Sequence, residues 1–183
     1  MTSGSDGKAE TADLLPAWIN PDLSRLLIVK EVKGDDFKSS AESVVDLPAG
    51  ALFARISGVK RVPKPSWSSV QAGRDLHIEL NSDLVKINHS CAPTLEWDME
   101  RMEIRVSRHR DLKKGDSLSF FYPSTEFCMA QPFQCWCDAG EDVCLGRISG
   151  AASIDPRKLD GYWINRHIKE MLEEASKKRN SHL

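Results

Sequence analysis

Asn88-His89-Ser90-Cys91-Ala92-Pro93, read together with Cys135-x-Cys137-x6-Cys144 further along, decides how this chain is to be understood. Two thiols one residue apart, a third close behind and Gly140 in the turn between them can wrap a single cation. A set of thiolates suits tetrahedral zinc, whose bonds to sulfur are short and lower the pKa of each thiol. Three ligands leave the shell one short. Cys91 is the natural fourth donor, and Cys128 is the spare, so the expected metal ligands are Cys91, Cys135, Cys137 and Cys144. The competing reading is ordinary buried thiols or a disulfide pair; the tight spacing favours chelation.

Composition bounds what surrounds this cluster. The chain has 183 residues, 40% of them hydrophobic, enough for one globular domain with a true core. A formal charge of −2 gives no electrostatic case for nucleic acid. Basic clusters at 105–114 and 177–179 are balanced by acidic residues and lack interleaved aromatics, so they read as solvated faces. The small, polar residues 1–12 lack the apolar stretch of a secretory signal, and 1–20 are expected to be disordered. The longest apolar run, 26–29, is far too short to cross a bilayer. A soluble protein of the cytoplasm or nucleus follows. Its odd count of five cysteines suits metal ligands plus one spare better than a disulfide framework.

Hydrophobic periodicity predicts mostly strands. Residues 26–32 and 51–56 are candidates, and Leu76, Ile78 and Leu80 alternate with polar neighbours. Leu95, Trp97 and Met99 alternate, as do Met102, Ile104 and Val106 beyond a turn at Glu100-Arg101, which is a hairpin signal. Lys113-Lys114-Gly115-Asp116 is turn chemistry before a strand over 117–122, which Pro123 would end. Prolines between Val62 and Ser69 mark a loop. Near the end, Asp155-Pro156 offers a cap and first turn, and Trp163, Ile164, Ile168, Met171, Leu172 and Ala175 predict one amphipathic helix packed on its own domain.

Three blocks, taken in order, resemble the SET-domain protein methyltransferases. They are Ile87-Asn88-His89-Ser90-Cys91-Ala92-Pro93, the run from Arg110-Asp111-Leu112 through Gly115-Asp116 to Ser119-Phe120-Phe121-Tyr122, and the Cys135, Cys137, Cys144 cluster. The resemblance covers about 44–150 and is nearest to small stand-alone fungal SET proteins ending in Cys-Leu-Gly-Arg-Ile-Ser-Gly. It implies a mainly β fold: a β-clip of short sheets with a pseudoknot, a zinc-binding post-SET segment, and here a C-terminal amphipathic helix. The implied division is a SET-like domain over 21–127, a post-SET zinc segment over 128–150 and the helix within 151–183.

The resemblance also implies a site. Asn88 and His89 would hold S-adenosylmethionine, Tyr122 would line the methyl-transfer channel, and the zinc-bound tail would close it. Phe133 or Trp136 would stack on the adenine, the alternative being that both are packing aromatics. Methyl transfer from a sulfonium is an in-line displacement needing alignment and a neutral amine, and near-attack geometry can supply about 7 to 11 kcal/mol. Phe120 and Phe121 could add a cation-π surface, although one must face the core.

Two departures from the family stand out. Its Gly-x-Gly turn, which lets the cofactor approach the backbone, is replaced by Gly34-Asp35-Asp36-Phe37-Lys38-Ser39-Ser40, although Asp46-Leu47-Pro48-Ala49-Gly50 follows as expected. Thr94 stands where the family usually has asparagine. The short stretch from Gly50 to Asn88 leaves no room for the region with which larger relatives bind histone tails. The acceptor is therefore another protein lysine or a small amine. The altered turn keeps a second class open: a SET-like shell acting as a non-methylating small-molecule enzyme, or a binding module without turnover.

Two further motifs are set aside. Gly115-Asp116-Ser117-Leu118 matches a lipase signature but opens a late strand without a partner histidine motif. His77, His109 and His167 have no matching ligand set, and Cys128 beside Phe127 is expected to be buried.

Overall fold

The computed structural model describes residues 22–31 and 39–181, so the predicted N-terminal tail and residues 34–38 of the altered turn lie outside the described residues. The architecture is mainly β, several small sheets with one C-terminal helix. Strand β1 (Leu27–Lys30) pairs antiparallel with β2 (Ser40–Ser43). The central sheet contains β3 (Leu52–Arg55), β7 (Asn88–His89), β8 (Leu95–Asp98), β9 (Glu103–Val106) and β10 (Ser119–Phe120), in the order β3-β9-β8-β10-β7. A third sheet holds β4 (Lys60–Val62), β5 (Ser69–Gly73) and β6 (Leu76–Glu79), with β6 in the middle.

The 95–106 hairpin forms where alternation places it. Asp98 Oδ1 accepts from the backbone N–H groups of Glu100 and Arg101 at 3.1 and 3.0 Å, an Asx turn that reverses the chain. Met102, at φ 53°, completes the reversal. Trp97, Ile104 and Val106 are sealed in the core with Phe53 and Leu95. Burying each large apolar side chain of this kind contributes about 1.5 to 3 kcal/mol.

The arrangement implied by the resemblance is present. β10 lies in parallel beside β7, with Ser119 opposite Asn88 and Phe120 opposite His89, and also in parallel beside β8. It thus inserts between two strands that are joined only by residues 90–94. Thr94 holds it there: its hydroxyl accepts from the Ser119 N–H at 2.9 Å and donates to the Ser117 carbonyl at 3.0 Å. The Thr94 departure therefore has a structural use.

The predicted 117–122 strand is shorter than expected, because Tyr122–Ser124 turns into a 3-10 helix with Pro123 inside it. The C-terminal helix also begins later. Asp155 does cap a turn, accepting from Arg157 N, but that turn is the 3-10 helix Pro156–Leu159. The α-helix, α1, is Arg166–Asn180. Trp163 and Ile164 precede it rather than belong to its face. Asn165 fixes its start: Oδ1 accepts from Met99 N at 2.9 Å, and Nδ2 donates to the carbonyls of Trp97 and Ser124 at 2.8 and 2.9 Å. Beyond the helix start, Arg74 makes a two-pronged ion pair with Glu174.

Candidate active site and thiolate cluster

Parallel pairing of β7 and β10 brings the first two sequence blocks to one place. The Tyr122 N–H donates to His89 Nδ1 at 3.2 Å, which makes Nδ1 the acceptor and leaves the ring proton on Nε2. That Nε2 lies 3.4 Å from Cys91 Sγ, so the imidazole bridges the tyrosine turn and the cysteine cluster. Burial lowers the His89 pKa to about 4, and the ring is neutral. The Tyr122 hydroxyl donates to the Ile87 carbonyl at 3.1 Å, and burial pushes its pKa well above the usual phenol value. Asn88 Nδ2 donates to the Ser39 carbonyl at 2.9 Å, tying β7 to the end of the altered stretch.

These residues border a cavity of about 530 Å³, shared by Asn88, His89, Tyr122, Phe133 and Trp136. All five residues proposed from sequence for cofactor binding or catalysis therefore line one space. Phe133 stands edge-on to His89 and Tyr122, with centroids 5.7 and 6.0 Å away. Trp136 corrects the packing alternative, since it is 82% exposed and projects at the rim. Phe120 and Phe121 separate as one strand requires. Phe120 faces the cavity and stacks on Trp97 at 4.2 Å, whereas Phe121 enters a second core and stacks on Tyr162 at 3.9 Å.

The cysteine cluster assembles from both blocks. The Sγ atoms of Cys91, Cys135, Cys137 and Cys144 all lie within 4.8 Å of one another. A tetrahedral zinc with bonds near 2.3 Å would space its sulfurs about 3.8 Å apart. The donor set fits that metal in number, type and spacing. Backbone N–H groups already face the sulfurs: Cys91 N toward Cys137, Cys137 N toward Cys135, and Leu145 N toward Cys91, each at 3.4 Å. Burial raises the thiol pKa of Cys91, to about 11, and that of Cys135. Cys137 is also penalised by burial, but the N–H groups of Cys91 and Ala139 and the neighbouring thiols outweigh this and bring it down to about 7. A divalent cation would resolve the strain of four thiols sharing so little space, because each could then ionise.

The segment carrying these thiols is pinned by β11 (Phe133–Gln134) and β12 (Arg147–Ile148), which pair antiparallel. Just beyond, Gly150 sits at φ 107°, and a Cβ there would come within 2.5 Å of the Phe127 carbonyl oxygen. Only glycine allows the chain to pass so close to 127–128. Cys128 is exposed, contrary to its expected burial, while its backbone packs against Gly150.

One residue at the cavity escaped the sequence reading. Glu126 is buried, and its Oε1 accepts from Gln71 N at 2.7 Å and from the Thr125 hydroxyl at 3.4 Å. The available signal was a carboxylate in the otherwise neutral run Phe120-Phe121-Tyr122-Pro123-Ser124-Thr125-Glu126-Phe127.

The fold brings these blocks together with a four-thiol cluster beside the cavity, the arrangement that the resemblance implies. No family model matches the chain. The chain is 48% identical over 162 residues to Methyltransferase flvH of Aspergillus flavus, covering 88% of this chain and 89% of that protein. It belongs to the same family as that methyltransferase. Among solved structures, KRYPTONITE in complex with mCHH DNA, an H3(1-15) peptide and SAH superposes with a TM-score of 0.48 at 19% identity, covering 66% of this chain and 29% of that one.

Proposed function

We propose that the protein transfers a methyl group from S-adenosylmethionine to an amine, a protein lysine or a small molecule, beside a structural zinc held by Cys91, Cys135, Cys137 and Cys144. The observation that carries this reading is the convergence of Asn88, His89 and Tyr122 on one cavity next to the four thiols. Kinship with a protein named a methyltransferase supports it.

When bound, S-adenosylmethionine supplies an electrophilic methyl on a sulfonium. Asn88 and His89 would hold it, with Phe133 and Trp136 offering faces for the adenine. His89 suits this part because it is neutral and fixed at both nitrogens, by Tyr122 N and by Cys91 Sγ. The zinc cluster would then set the orientation of the imidazole as well as fastening the tail. The Tyr122 hydroxyl spends its proton on the Ile87 carbonyl, so its oxygen lone pairs remain to accept from an amine and orient it. Alignment of this kind, rather than acid or base strength at the tyrosine, is what a methyl displacement requires.

No helix among the described residues is long and apolar enough to cross a membrane. The reading places the protein in the cytoplasm or nucleus, without a nucleic-acid partner. Incubating zinc-replete protein with methyl-labelled S-adenosylmethionine and a panel of amines tests the proposal. Label is expected in an amine product, and labelled cofactor left untouched across the panel would count against it.

A further inference from the structure

Glu126 occupies a position for which the methyl-transfer reading supplies a need but no residue. It lines the same cavity as Tyr122, Trp97 and Phe120. Trp97 stacks on Phe120, and the Phe120 and Tyr122 rings follow at 4.7 Å, so buried aromatic rings back one wall and Tyr122 is the partly exposed ring among them. Glu126 stands one turn beyond Tyr122, its N–H bonded to the Tyr122 carbonyl at 3.0 Å.

Its two oxygens are treated differently. Oε1 is held by Gln71 N and Thr125 Oγ1. Oε2 has no hydrogen-bond partner among the described residues, yet it is not among the polar atoms sealed from solvent without one. No cation pairs with this carboxylate among the described residues. A buried carboxylate is costly without a counter-charge. A tyrosine ring and an unpaired carboxylate in one cavity are chemistry that can recognise an ammonium group.

We infer that Glu126 is the residue that receives the substrate's ammonium group in this cavity and takes its proton before methyl transfer. The inference rests on the methyltransferase reading and names the class of acceptor: an amine that arrives as an ammonium ion. An ammonium N–H bond breaks and an O–H bond forms at Glu126 Oε2, leaving a neutral amine with a free lone pair. The new N–C bond then forms as the S–C bond of the sulfonium breaks, and the positive charge passes from sulfur to nitrogen. The proton on Glu126 leaves to water when the product departs.

Burial raises the Glu126 pKa to about 7, which suits exchange of a proton near neutrality. The titratable groups around it are few. Tyr122 stays protonated. His77, opposite Gln71 on β6, and His167 of α1, whose ring bonds the Thr125 carbonyl, are both lowered by burial. Lys86 and His89 border the same cavity.

Glu126→Gln keeps an oxygen for Gln71 N but removes the base, and Glu126→Asp restores a carboxylate. The zinc-replete full chain is titrated calorimetrically with S-adenosylmethionine, then with n-butylamine and, separately, with a peptide bearing one lysine. Glu126→Gln should bind S-adenosylmethionine as the wild type does, bind the amine about tenfold more weakly, lower kcat/KM about 100-fold and abolish the acidic limb of its pH profile. Glu126→Asp should recover part of that limb. Preference for n-butylamine would identify a small free amine as the source, and preference for the peptide a protein lysine. Equal amine binding and an unchanged pH profile in Glu126→Gln would overturn the inference while leaving methyl transfer standing. Failure of the wild type to bind S-adenosylmethionine would instead strike the underlying reading, and amine binding would still report on Glu126.

Discussion

The Tyr162 hydroxyl donates to the carbonyl oxygen of Cys91 at 2.6 Å. The ring that carries it stacks on Phe121 at an interplanar angle of 12°, so the segment following the cysteine cluster grips both the Cys91 turn and the strand leading to Tyr122. One bond thus couples the Cys91 turn of the thiol cluster to the C-terminal part of the chain. Tyr162→Phe should retain the stack and lose the bond, at a cost of about 0.5 to 1.5 kcal/mol in urea unfolding. An unchanged midpoint would show that the bond does not hold the turn.

Zinc should be present in one copy per chain, with its binding energy coupled to folding. Cys137→Ser should release it and lower stability by several kcal/mol, read by metal analysis and by the melting curve. Cys128→Ser is the matched control, since Cys128 is exposed and outside the cluster. It should leave both measurements as they were. Identical melting of Cys137→Ser and wild type would remove the metal from the structure.

Tyr122→Phe should lower methyl transfer about 100- to 1,000-fold with retained binding of S-adenosylmethionine. Loss of the bond to Ile87 should cost only about 1 kcal/mol of stability. Undiminished turnover would take the hydroxyl out of the mechanism.

Glu126 predicts a pH dependence of stability. Its folded-state pKa, near 7, lies above the ordinary 4.5, so between those values the folded chain binds more protons than the unfolded one. The resulting stabilisation is complete below about pH 4.5 and lost as pH rises through about 7. Relative to Glu126→Gln, the wild type should therefore lose about 3 kcal/mol between pH 4 and pH 8. Denaturation midpoints of both proteins across that range test it, and parallel curves would place the Glu126 carboxyl in an ordinary environment.

The parts that were legible in the sequence carry strong periodic or chemical signals. The 95–106 hairpin alternates apolar residues around an Asx turn, and the spacing of Cys135, Cys137 and Cys144 with Cys91 matches the four-thiol cluster the fold assembles. β4 and β5 were missed because Lys60 and Arg61 are exposed and Ser69 opens a strand from within a serine-rich loop, so neither shows clean alternation. The start of α1 was misplaced because Asp155-Pro156 is a genuine capping signal, spent on a 3-10 turn. Gly161, at φ 89°, interrupts the chain before Asn165 starts the helix proper. Glu126 was illegible for a different reason: its environment is made by Gln71 from another sheet, and only the tertiary fold shows that one of its oxygens is left over.

The most direct measurement is calorimetric titration of zinc-replete protein with S-adenosylmethionine. Saturable binding of one molecule per chain, weakened by Asn88→Ala, is the predicted result. Absence of binding to correctly folded, metal-loaded protein would contradict the assignment and favour a SET-like shell that has given up methyl transfer.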